Sequence, residues 1–122
     1  MNRKVRGVFT FVIFLVLVQN AYSGYPTGQD LLIKCTGTTN DPNEAAIAPI
    51  HCLGYIDGII DAHGLLSSVS PEAKFFCPPA QGIAVGDAMD AVIYFIQKFS
   101  ETRSASGRVV VIKALQTFYP CK

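Results

Sequence analysis

Four cysteines, Cys35, Cys52, Cys77 and Cys121, constrain this chain more than any other feature, because all of them follow what reads as an export signal. Arg3, Lys4 and Arg6 open the sequence with positive charge, and Val8 to Val18 is apolar apart from Thr10. Ala21-Tyr22-Ser23 places small residues three and one positions before a cut after Ser23. That is the layout of a secretory signal peptide. The apolar run is too short to span a bilayer, which takes roughly 20 residues. Gly24 stands where a lipoprotein would carry its cysteine. Residues 1–23 are therefore expected to leave, and residues 24–122 to form the mature domain in the periplasm. An even cysteine count in an oxidising compartment predicts two disulfides, with three pairings open. A zinc site is the rival, but the spacings of 17, 25 and 44 contain no close C-x-x-C pair. Each bridge would add roughly 2–4 kcal/mol by restricting the unfolded chain.

The mature chain has 99 residues, enough for one small domain with a thin core. Without the signal, seven basic residues face nine acidic ones. No basic patch supports nucleic-acid binding. No motif points to a cofactor.

Punctuation along the chain is helical. Thr27 and Asp30 make a capping box, and Leu31, Leu32 and Cys35 follow at helical spacing. Asp41-Pro42-Asn43-Glu44 is a second start: a capping carboxylate, a proline tolerated at the first position, and an acid at the positive end of the dipole. Pro49 predicts a break, so the main helix is expected from about Pro49 to about Leu66. Cys77-Pro78-Pro79 interrupts again, and helix is expected to resume near Ile83. There Val85, Ala88, Met89, Val92, Ile93 and Ile96 form one apolar stripe. Ser100 to Gly107 is a polar connector. Val109 to Val111 favour strand by branching, yet Ile112, Leu115 and Phe118 continue at helical intervals to the stop at Pro120. The expected class is all-α: a small disulfide-linked bundle of about four to five helices.

Residues 51–64, HCLGYIDGIIDAHG, look most like chemistry. At 100° per residue, Cys52, Tyr55, Ile56, Ile59 and Ala62 share a core face. Gly54, Asp57, Gly58 and Asp61 lie opposite, and His63 points away from Asp61 towards the apolar side. Histidines and aspartates do not converge, so neither a metal site nor a catalytic set is expected. Each glycine costs a helix interior up to about 1 kcal/mol relative to alanine. Close approach of another helix, in this chain or in a partner, is the expected compensation. Gly54, Tyr55, Asp57, Gly58 and Asp61 are thus read as packing or interface residues.

Taken in order, these residues resemble the type VI secretion amidase-immunity family, the Rap/Tai proteins. The resemblance rests on Cys35; on Cys52-Leu53-Gly54-Tyr55-Ile56-Asp57-Gly58-Ile59-Ile60-Asp61; and on Phe76-Cys77-Pro78. Val92, Tyr94 and Phe95, Ala114-Leu115 and Phe118-Tyr119-Pro120-Cys121 complete it. Ser100-Glu101-Thr102 stands where the family pattern commonly has a proline. The resemblance implies a periplasmic, all-helical protein, often a homodimer, that blocks a peptidoglycan amidase effector and has no catalysis of its own. It also implies the pairing Cys35–Cys52 and Cys77–Cys121. Inhibition would proceed by occlusion, through Leu66 to Lys74 or through Ser100 to Arg108, where Glu101, Arg103 and Arg108 offer charge complementarity. The alternative is an exported structural or stress-related binding protein without a toxin partner.

Overall fold

The computed structural model describes Tyr25 and residues 27–122; the expected signal segment lies outside the described residues. Among the described residues four α-helices follow one another: α1 (Gly28–Thr36), α2 (Pro42–Val69), α3 (Val85–Lys98) and α4 (Gly107–Phe118). Short 3-10 turns at Pro71–Ala73 and Ser100–Ser104 join them, and the described residues contain no strand. The protein is an all-α bundle held by two disulfides.

Local chemistry explains the boundaries. Thr27 caps α1: its hydroxyl accepts from the Asp30 N–H while Asp30 accepts from the Thr27 N–H. Gly37 ends α1 in the left-handed region at φ 66°, and the N–H of Thr38 returns to the Ile33 carbonyl. The Asp41 carboxylate caps α2 through the N–H of Asn43, with Pro42 in the first turn.

The break expected at Pro49 does not occur. α2 runs through it for 28 residues, from Pro42 to Val69. Pro49 donates no hydrogen bond, so the Ala45 carbonyl loses its helical donor. Packing offsets this loss: Ala48 and Cys52, either side of Pro49, are fully buried, and Cys52 is covalently tied to α1. Gly37 closes over the same spot, since a Cβ there would stand 2.8 Å from the Ala45 oxygen.

The core lies where α1, α3 and α4 meet one face of α2. Leu31 and Cys35 of α1 join Cys52 and Ile56 of α2, Val92 and Ile96 of α3, and Val110, Val111, Ala114 and Leu115 of α4. Phe76, from the segment between α2 and α3, is fully enclosed among them. Burying each large aliphatic or aromatic side chain contributes about 1.5–3 kcal/mol. The branched run Val109–Val111 is helical because Val110 and Val111 fill this core.

Cys35 is bonded to Cys52 and Cys77 to Cys121, with Cα atoms 5.1 and 4.9 Å apart. The first bridge fastens α1 to α2. The second fastens the chain beyond α4 to the segment before α3, where the Cys77 N–H also donates to the Tyr119 carbonyl at 2.8 Å. Lys34 and Glu44 add an ion pair between α1 and α2.

Tight helix approach occurs at glycines other than the pair singled out in the sequence. A Cβ on Gly28 would overlap the Thr102 carbonyl, and one on Gly107 would stand 2.6 Å from the Tyr25 carbonyl. At Gly54 and Gly58 an added Cβ meets nothing within 4 Å. Within the described residues, the same-chain neighbour expected over these two glycines is absent. Gly28→Ala should lower unfolding stability by about 1–3 kcal/mol through overpacking against backbone. Gly54→Ala should raise the stability of the isolated chain by up to about 1 kcal/mol. Urea unfolding of the two variants measures both, and equal midpoints would contradict this packing account.

Candidate functional site

α2 has two unlike faces. The inward one carries Ala48, Cys52, Ile56 and His63. On the outward one Ile47, Gly54, Gly58 and Leu65 fall within about 20° of a common direction at helical pitch. Ile50, Asp57, Asp61 and Val69 flank this line and are exposed. The apolar members are strongly so, with Ile50 64%, Leu65 67% and Val69 73% exposed. Leu66 and Phe75 extend the apolar surface towards the following loop. By length and composition α2 could cross a membrane. Asp57 and Asp61 at its middle argue against that, since each carboxylate would cost roughly 2.5–3.5 kcal/mol there. An exposed apolar stripe of this length is a candidate protein interface.

Among the described residues Asp57 and Asp61 make no hydrogen bond or ion pair, and no group of side chains is arranged to hold a metal ion. Tyr55 belongs to the interior: it is half-buried and meets Tyr25 edge-to-face at 4.8 Å. Burial pushes its phenol pKa up. Glu101 and Arg103 lie exposed on the 3-10 turn Ser100–Ser104, and Arg108 lies exposed in the first turn of α4. No ion pair ties them down among the described residues. The same turn is anchored by Thr102, which is buried and donates to the Phe99 carbonyl at 2.6 Å.

The other expected loop is held by a histidine. His63 is buried on the inward face and stacks on Phe76, ring centroids 3.7 Å apart. Its Nε2 accepts the N–H of Phe75 at 3.0 Å and that of Phe76 at 3.4 Å. An acceptor nitrogen carries no proton, so the ring is neutral with its hydrogen on Nδ1. Nδ1 is buried and has no hydrogen-bond partner among the described residues. The imidazole thus fixes the backbone that turns Phe76 into the core and leaves Phe75 outside. The sequence placed His63 on the apolar side, but its backbone partners are 12 and 13 residues away and carried no local signal. The missed apolar stripe did have one: Ile47 and Leu65 share the angle of the glycines and Ile50 and Val69 flank it, but they lie beyond residues 51–64.

This arrangement is accompanied by a family match. A model of Rap1a immunity proteins covers residues 27–121. The chain belongs to the Rap1a immunity family. No curated protein matches it. The matched region begins at the N-cap of α1 and ends at Cys121, so it contains every helix of the described residues and both disulfides. A Rap1a immunity protein presents surfaces to a partner. The outward face of α2 and the loop held by His63 are such surfaces.

Burial, with Lys74 nearby, holds the His63 pKa below its ordinary value of 6.5. The unfolded chain binds this proton more readily, so the histidine's contribution is complete above the unfolded pKa. It declines as pH falls from there towards the depressed folded pKa. Thermal melts from pH 8 to pH 5 should show this loss, and His63→Gln should flatten the dependence. A wild-type profile that rises with acidification would contradict it.

Proposed function

We propose that this protein is a periplasmic immunity protein that binds a peptidoglycan amidase effector of a type VI secretion system and blocks its active site. Family membership supports the immunity role, and the family is generally non-enzymatic. The observation that carries the binding reading is the exposed apolar face of α2 continuing to Phe75. Two disulfides and an immunity family suit an exported protein, and residues 1–23 supply the proposed signal.

Occlusion needs a rigid projection. The segment from Leu66 to Lys74 fits this role, because His63 and the Pro71–Ala73 turn fix its path and Leu66 and Phe75 stand exposed at its two ends. Aromatic and aliphatic anchors of this kind carry most of the energy in protein interfaces. Glu101, Arg103 and Arg108 form the second proposed contact, where charge steers the approach.

The middle of α2 supports self-association. Two copies laid antiparallel bring the Gly54–Gly58 segments to the crossing, Ile47 and Ile50 against Leu65 and Val69, and His51 near Asp61. Glycines there allow backbones to approach, which compensates for their helical cost. A stable complex buries about 1,600 Å² in all, so two copies ease the demand on so small a domain.

Two measurements test this. Purified protein added at equal molarity to a panel of type VI peptidoglycan amidase effectors should abolish hydrolysis by one of them; full hydrolysis by every member would refute the immunity reading. Gly58→Leu should convert the dimer to a monomer in light scattering without lowering the stability of the single chain. A Gly58→Leu dimer as tight as wild type would refute the α2 interface.

A further inference from the structure

A second surface lies on the far side of the bundle, between α3 and the end of α4. A hollow of about 410 Å³ is lined by Asp87, Asp90, Ala91, Tyr94, Phe118 and Tyr119. A neighbouring hollow of about 430 Å³ shares Asp87 and Tyr119. Together they make one trough with aromatic walls and two carboxylates.

Its composition follows from helix spacing. Asp87, Asp90, Ala91 and Tyr94 stand at i, i+3, i+4 and i+7 of α3 and so share one stripe. Ala91 is small and nearly buried, which leaves room at the floor. Phe118 meets the Tyr94 ring edge-to-face at 5.9 Å, and both rings are about half-exposed. Asp87 and Asp90 are exposed and form no hydrogen bond or ion pair among the described residues.

The trough is also shaped in advance. Phe118 and Tyr119 immediately precede the bridge from Cys121 to Cys77, and the Cys77 N–H fixes the Tyr119 carbonyl. A ligand therefore meets walls already in place and does not bear the entropy of ordering them.

Aromatic faces beside paired carboxylates select a cation. The Tyr94 ring already accepts one cation, with the Lys98 Nζ 5.5 Å from its centroid. A guanidinium fits better than an ammonium, because its plane stacks on a ring while its edge donates to carboxylates. We propose that this trough receives an arginine side chain presented by the toxin, at a site separate from the α2 face. The identity of the partner rests on the immunity reading; the preference for arginine does not.

The experiment has two arms. In the first, N-acetyl-arginine amide is titrated into the purified protein and the ring resonances of Tyr94 and Phe118 are followed by NMR. Saturable shifts are expected, at least threefold weaker with the lysine analogue and at least fivefold weaker in the Asp87→Asn/Asp90→Asn variant. Both aspartates are exposed, so the variant should stay folded, melting only slightly lower because Asp87 stands in the first turn of α3. Absence of saturable shifts, or an undiminished response in the variant, would overturn the arginine site. In the second arm, the same variant should bind the toxin at least tenfold more weakly than wild type. Unchanged affinity would overturn the toxin as occupant. A toxin that fails to bind even wild type would instead overturn the immunity reading, and the first arm alone would then decide the trough.

Discussion

Burial of one face of α2 organises the whole domain. Ala48, Cys52, Ile56 and His63 lie along it, and each meets a different part of the chain. Cys52 holds α1 by a covalent bond, Ile56 enters the core with α3 and α4, and His63 secures the backbone that leads Phe76 inward. A helix of 28 residues is long for so small a protein. It works as a spine because its neighbours cover only one flank. Among the described residues nothing covers the opposite flank, where exposed apolar side chains stand beside Asp57 and Asp61, and the proposed function follows from that asymmetry.

Helix starts and stops were the most legible part of the sequence, because they depend on neighbouring residues. Thr27 with Asp30, Asp41 with Pro42, and Pro120 each act within one turn of chain. Pro49 misled because its local cost is outweighed by contacts made at a distance. Cys52, three residues on, is bridged to Cys35 and locks the helix through the proline. The valines at 109 to 111 illustrate the same principle in reverse: a local strand preference yields to a helical core pattern.

The glycines show where reading by pattern stops. Gly54 and Gly58 have the spacing that suggests close helix contact, yet nothing in the described chain approaches them. Gly28 and Gly107 sit at helix ends, where glycine is unremarkable in sequence, yet they make the tightest backbone approaches. Spacing identifies a face but not what covers it. The same limit hid the role of His63, whose partners depend on the path of a loop. It hid the trough at Asp87 and Tyr119 as well, since these residues come together only when α4 packs on α3.

That bridge and its companion have a biosynthetic consequence. Numbered along the chain, the first cysteine is bonded to the second and the third to the fourth. A polypeptide emerging from its N-terminus can complete the α1–α2 link before Cys77 appears. Cys77 then has one remaining thiol to join, once α4 has followed. Oxidation in simple order of emergence would yield the native connectivity without any rearrangement of mispaired sulfurs.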